Sequence, residues 1–326
     1  MSDKIRWGIL STANIGRGRV IPAIHQSNNG QVAAVASRNL EKAQAFATAT
    51  NIPTAYGSYE ALIEDPNIDA IYIPVPNSEH AEWSIRCAEA SKATLCEKPL
   101  ASNATEAQRI VDAFAARQVL FAEAFMYRFH PQTTHVKQML ADGAIGDLQT
   151  ISATFTFPLR SEENIRLSKT LAGGAVMDVG CYCINVMRLM TGEEPIQAKA
   201  VARLGVQTEV DESLAGTLIF PSGVVGHFDC SLRAQRVHTY DLRGTEGRIL
   251  VEEAFVPTAE SATKIRVWQG DRYQEITTPP INQYTLMVED FADALLSNRP
   301  PRFKPQDAVA NMQVIDALLA SARGKE

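Results

Sequence analysis

The chain has 326 residues, more than one ordinary hydrophobic core organises, which argues for two domains. Hydrophobic residues make up 45% and charged residues 21%, so a sizeable core forms and wholesale disorder is excluded. The net charge of −6 leaves no broad basic field for nucleic acid or an anionic membrane, and no partner of either kind is expected.

The opening MSDKIRWGIL has no long apolar region followed by a small-residue cleavage site. No uninterrupted apolar run approaches the roughly 18 residues of a membrane span. A cytoplasmic protein is therefore expected. The five cysteines (Cys87, Cys96, Cys181, Cys183 and Cys230) are odd in number and read as free thiols. The one-residue spacing of Cys181 and Cys183 is not a zinc pattern, so no metal is expected.

In chain order, Ile5–Leu10 reads as a strand and 15–25 as a helix. The apolar run 32–36 suits a strand buried on both faces, and 40–49 is helical with Leu40, Ala43 and Ala47 on one side. Ala70–Ile73, a helix over 80–90, Ala93–Cys96, a helix over 105–116 and a strand over 119–122 complete the series. Asn103 followed three residues later by Glu106 resembles a capping box. Repeated βα units predict a Rossmann fold, a doubly wound parallel sheet, over residues 1–122.

The pattern then changes. Residues 175–190 form one long apolar helix. Strand pairs follow around Pro221-Ser222-Gly223, around Gly244-Thr245-Glu246-Gly247 and around Gly270-Asp271, which predicts a largely antiparallel open sheet. Helices over 284–296 and Gln306–Ala322 close the chain. Residues 123–326 thus read as an α+β domain for substrate binding and oligomerisation, and the whole chain as α/β.

Gly8 to Gly16 lies between the first strand and the first helix. The G-x-G-x-x-G positions of a dinucleotide turn fall on Ser11, Ala13 and Gly16, all small. With Thr12, Asn14 and Ile15 they place a helix N-terminus where a pyrophosphate would sit. These residues alone fit a dinucleotide site and an ordinary βα connection equally. After the second strand, Ser37-Arg38 stands where NAD-specific sites carry a carboxylate about 20 residues beyond the glycine turn. A hydroxyl and a guanidinium suit a 2′-phosphate, hence NADP with NAD as the second choice; the other reading is a solvated surface arginine.

Three further segments stand out: Pro74-Val75-Pro76-Asn77-Ser78-Glu79-His80, Glu97-Lys98-Pro99, and Gly173-Gly174-Ala175-Val176-Met177-Asp178-Val179-Gly180-Cys181-Tyr182. Together they resemble the glucose–fructose oxidoreductase/inositol dehydrogenase family, Gfo/Idh/MocA, over essentially the whole chain. The residues from Trp7 to Ala13, from Glu123 to Pro131, Asn164-Ile165-Arg166 and Asp178 to Tyr182 are most similar to its NADP-dependent aldose dehydrogenase and dihydrodiol dehydrogenase branch. Inositol dehydrogenases carry His four residues after the Asp, where this chain has Tyr182, which favours a sugar or diol. The resemblance implies that Pro74, Asn77 and His80 line the nicotinamide side of the cofactor groove, with Glu97 and Lys98 beside the nicotinamide ribose. It implies Tyr127, Arg128, Asn164, Arg166 and Tyr284 on the substrate side. It also implies a homodimer or dimer of dimers.

The residue types fit that chemistry. Oxidising a hydroxyl needs a hydride acceptor, which the cofactor supplies, and a proton acceptor, which the protein must supply. Lys98 or Tyr182 fills the second role, since an ammonium nearby lowers a phenol from its usual value near ~10. Asp178, four residues before Tyr182, orients the sugar or the tyrosine. Taken singly, Lys98 as a sheet-edge residue, Asp178 as a helix cap and Tyr182 as core are plainer readings. The set points to an NADP-dependent dehydrogenase for a sugar, polyol or diol. Its rivals are a dicarbonyl, ketose or dihydrodiol reductase, and a non-catalytic NADP-binding regulator.

Overall fold

A computed structural model describes residues 4–324, which divide into two compact units. The first holds the chain up to Met126 together with Gln283–Val309. The second holds Tyr127–Asn282 and the chain from Ala310 onward.

The first unit alternates β1 (Ile5–Leu10), α1 (Ile21–Gln26), β2 (Gly30–Ala36), α2 (Leu40–Thr50), β3 (Thr54–Tyr56), α3 (Tyr59–Glu64), β4 (Ala70–Ile73), α4 (His80–Glu89), β5 (Ala93–Cys96), α5 (Ala104–Arg117) and β6 (Phe121–Glu123). Its six strands pair in parallel in the order β3-β2-β1-β4-β5-β6, the doubly wound arrangement expected. Every residue of β4 and β5 is buried, as the unbroken apolar runs imply. Asn39, Ser58 and Asn103 cap α2, α3 and α5 by accepting from backbone N–H groups. Glu106 completes the Asn103 cap by accepting from the Ser102 N–H at 3.1 Å, one residue further back than in a standard capping box.

The second unit contains α6 (Pro131–Ala141), β7 (Leu148–Thr156), α7 (Cys181–Thr191), β8 (Gln197–Leu204), β9 (Asp211–Ile219), β10 (Val225–Ser231), β11 (Val237–Gly244), β12 (Gly247–Val251), β13 (Thr263–Gln269) and β14 (Arg272–Thr278). The eight strands run in the order β14-β13-β12-β11-β7-β10-β9-β8. Only the central β7–β10 pair is parallel; the others are antiparallel. Along β10, Gly226, Phe228 and Cys230 are buried while Val225, His227 and Asp229 are exposed, so one face of the sheet packs inward and the other is open. Lys169–Thr191 is apolar enough by composition to cross a membrane, but 72% of that window is buried, and it serves as the core helix. None of the five cysteines forms a disulfide, and all five are buried.

Two helices end the chain. α8 (Gln283–Leu296) belongs to the first unit, where Phe291 lies 5.2 Å from the Trp7 ring and Asn28 donates its N–H to Glu289 at 3.0 Å. α9 (Gln306–Ala322) leaves the first unit at Val309 and ends in the second.

The Gly173-Gly174 pair has a steric cause. A Cβ on Gly173 would strike the Arg166 carbonyl, and Gly174 has φ +124° with its α-carbon against the Asp211 carboxylate. Gly174→Ala should therefore lower stability by about 1–3 kcal/mol, read as a lower urea midpoint by far-UV circular dichroism. An unchanged midpoint would contradict this steric account.

Candidate active site

In the first unit the turn after β1 bends at Ser11, whose φ of 137° is one that glycine adopts more readily. The serine compensates with its side chain. Its Oγ donates to the Pro74 carbonyl at 3.1 Å and accepts from the Ala13 N–H at 3.3 Å. The turn is thereby tied to the end of β4. The chain is helical from Asn14, with the Arg17 N–H bonded to the Ala13 carbonyl at 3.1 Å. The leading N–H groups of Thr12 to Gly16 carry the positive end of the helix. A π turn over Gly16–Val20 precedes α1, where Pro22 has no N–H to donate and the ladder shifts so that Ile21 reaches Gly16.

At the end of β2, Ser37 is buried and Arg38 projects outward with 72% of its side chain exposed, 3.7 Å from Glu79. Asn39 is occupied as the α2 cap. An exposed guanidinium, with no acidic residue among Ser37, Arg38 and Asn39, suits an anion better than a ribose diol.

At the ends of β4 and β5, Pro74 is buried and Asn77 begins a short 3-10 turn. Glu97 accepts from the Tyr72 hydroxyl at 2.5 Å and from the Lys98 N–H at 3.3 Å. Its backbone N–H bonds Ile73 at 3.1 Å, which locks the strand end. Tyr284, at the start of α8, has its phenol pushed up by burial and by the Glu97 charge. So Tyr284 shares the surroundings of Glu97 within the first unit. The Lys98–Pro99 peptide is cis. His80 lies inside the protein, its ring nitrogens against backbone carbonyls.

In the second unit Arg166 donates from Nε to Asp178 Oδ2 at 2.6 Å, so one expected substrate residue and one expected catalytic residue form an ion pair. Asn164 caps the turn Ile165–Leu167 by accepting from the Arg166 N–H at 3.0 Å. Asp178 sits in a second π turn, Val176–Gly180, which changes its angular offset from Tyr182 relative to a straight α-helix. The Tyr182 ring lies among Phe155, Phe255 and Tyr127, with centroids 5.3, 5.4 and 5.8 Å away. Tyr127 is buried and donates its hydroxyl to Asn185 at 2.6 Å; Arg128 is buried as well. Lys98 belongs to the first unit, and Asp178 and Tyr182 to the second. Among the described residues, no group of three or more His, Cys, Asp or Glu is placed to hold a metal.

The family model for an oxidoreductase with an NAD-binding Rossmann fold matches residues 5–125, and that for the GFO/IDH/MocA C-terminal domain matches 133–250. The chain belongs to the GFO/IDH/MocA oxidoreductase family. It is 37% identical over 97% of both chains to a D-xylose 1-dehydrogenase (NADP⁺) of Haloferax volcanii. It is 36% identical to the mouse trans-1,2-dihydrobenzene-1,2-diol dehydrogenase, over 78% of this chain and 76% of that one. A 3-ketoreductase from Actinomadura kijaniata, solved with NADP and TDP-benzene, superposes with a TM-score of 0.93 at 30% identity over 98% of each chain.

Asp211 was not singled out in the sequence, where it is one acid in a strand. In this family member it holds the start of the helix that carries Asp178 and Tyr182, accepting from the Val176 N–H at 2.7 Å. Burial pushes its carboxyl up to about 6 from 3.8, against the backbone N–H bonds that favour the anion. The native state therefore holds this proton more tightly than the unfolded chain. The associated stability is complete below pH 3.8 and is lost as pH rises through about 6. Asp211→Asn cannot ionise. Its stability relative to wild type should rise by about 3 kcal/mol between acid and neutral pH, measured by urea midpoints on either side of the transition. Parallel pH profiles would refute this.

Proposed function

We propose that this oxidoreductase transfers a hydride between NADP and a sugar or polyol hydroxyl, most simply as an aldose dehydrogenase. The observation that carries the reading is the carboxyl end of β5. There Lys98 follows a strand buried along its whole length, beside a Glu97 already engaged by Tyr72. The carboxyl ends of such strands are where open α/β sheets bind ligands. The chain fits the cofactor in its small-residue turn, its leading helix N–H groups and the exposed Arg38, which would take the 2′-phosphate. When bound, the cofactor accepts or returns the hydride. The residues of the chain handle the proton: Lys98 or Tyr182 takes it from the substrate oxygen, and Asp178, paired with Arg166, orients the sugar or the tyrosine. Tyr127, Arg128, Asn164 and Tyr284 shape the substrate side. Similarity to the dihydrodiol dehydrogenase favours a diol as the second reading.

The open face of the eight-stranded sheet, where Val201 is 73% exposed and Val225 and Val237 are also exposed, is the surface proposed to take a second copy. Light scattering should give a dimer or a dimer of dimers; a monomer at micromolar concentration would remove that part of the proposal.

A panel of aldoses, polyols and diols, followed by absorbance of the reduced cofactor, tests the activity. Turnover should be faster with NADP than with NAD, and Arg38→Ala should weaken NADP far more than NAD. Equal wild-type affinity for both cofactors would overturn the role of Arg38. Lys98→Ala and Tyr182→Phe should each lower kcat by about 10²–10⁴-fold. Their losses should not multiply, because the two groups serve one proton transfer. Near wild-type hydride-transfer rates in both variants would rule out this assignment.

A further inference from the structure

The ladder between β4 and β5 ends abruptly. Ile73 pairs with Cys96, and the Glu97 N–H makes one more bond to Ile73. Beyond that point Pro74, Pro76 and Pro99 have no N–H to give, so backbone pairing cannot continue. The carbonyls of Val75 and Pro99 belong to buried residues and need a donor from elsewhere.

His80 supplies it. The residue opens α4 and is 1% exposed. Its Nδ1 lies 2.9 Å from the Pro99 carbonyl oxygen and its Nε2 3.0 Å from that of Val75. One ring thus spans the two loops that follow β4 and β5. Burial pushes the imidazole down to about 4, and the Lys98 charge acts in the same direction. At neutral pH the ring therefore carries one proton and donates it to one carbonyl or the other, according to tautomer. The Ser11 hydroxyl, on the Pro74 carbonyl, adds a third link to the same cluster of strand ends.

We propose that His80 is a positioning residue for Lys98: wedged between the Val75 and Pro99 carbonyls, its ring holds the loop after β5 against the loop after β4 and so fixes where the Lys98 ammonium stands relative to Asn77. This rests on the reading of Lys98 as a proton-handling group. His80 is 1% exposed, so whatever it contributes to the cofactor groove comes through the two loops it packs against. Its loss should therefore fall on the chemical step more than on cofactor affinity. A misplacement of the order of an ångström costs a reacting group up to about 10²-fold.

The test compares wild type with His80→Leu, which fills the space without a donor, and His80→Gln, which restores amide donors. NADPH affinity by fluorescence titration should change less than the hydride-transfer rate in both. Single-turnover hydride transfer should fall by about 10- to 100-fold in His80→Leu and by less in His80→Gln. KM should hardly move, and the kinetic isotope effect with deuterated NADPH should rise as hydride transfer becomes limiting. Independently of turnover, isotope-labelled methyl groups placed on the lysines should show the Lys98 resonance, identified by its loss in Lys98→Arg, displaced or broadened in His80→Leu. A folded His80→Leu with wild-type hydride transfer and an unmoved Lys98 resonance would overturn the proposal. If His80→Leu does not fold, the same two readings on His80→Gln decide it: a slowed step with a shifted resonance supports positioning, and no change in either refutes it. If the wild type turns over no substrate while the resonance still moves, the proposed function fails and the placement of Lys98 by His80 stands.

Discussion

Burial of the parallel sheet on both faces is the constraint from which the rest of the first unit follows. A strand such as Ala70–Ile73 or Ala93–Cys96 has helices on either side and no polar face. Polar and ionisable side chains are therefore pushed to the strand ends. At the carboxyl ends of β1, β2, β4 and β5 the chain places Ser11, Ser37-Arg38, Pro74 to Asn77, and Glu97-Lys98 in turn. These ends are fastened to one another by single side chains, because prolines and tight turns interrupt the backbone ladder there. Ser11 bonds the Pro74 carbonyl, Tyr72 bonds Glu97, and the His80 ring lies between the Val75 and Pro99 carbonyls and donates to one of them.

The second unit solves a different problem. The helix that carries Asp178 and Tyr182 starts beneath an open sheet, and its first N–H groups are buried. Asp211, from β9, satisfies them at the cost of keeping a carboxyl away from water. Gly174 lets the chain pass close to that carboxyl with a positive φ. Asp178 is then held by Arg166, and the Tyr182 ring by three aromatic neighbours. Tyr182, one of the two expected proton-handling groups, and Asp178, its expected orienting partner, are thus each held by neighbouring side chains.

The legible parts of the fold were those with a strong local signature. Continuous apolar runs marked β1, β2, β4 and β5, and Asn103 with Glu106 marked the start of α5. β3, β7 and β8 went unread: β3 and β8 are edge strands, with Thr54 exposed and β8 never presenting an apolar run, and the central β7 alternates half-buried with buried residues and is rich in threonine. The π turns before α1 and α7 carry no periodic signal. That α8 belongs with the first unit follows from contacts more than 260 residues apart in sequence, such as Asn28 with Glu289 and Asn29 with Asp293, and no local pattern encodes them. At the site, the motif residues were visible as types, but their supports were not. Tyr72 reads as an ordinary strand residue, Asp211 as one acid among many, and the double engagement of His80 depends on two carbonyls that no side-chain pattern reveals.

The central claim is that four strand ends of one buried parallel sheet make a single dinucleotide site. Amide hydrogen exchange with and without NADP tests it most directly. The account predicts that cofactor slows exchange in the segments 11–17, 37–39, 75–80 and 97–98, and leaves the amino ends of the same strands unchanged. Protection confined to the amino ends, or none at these segments under saturating NADP, would contradict it.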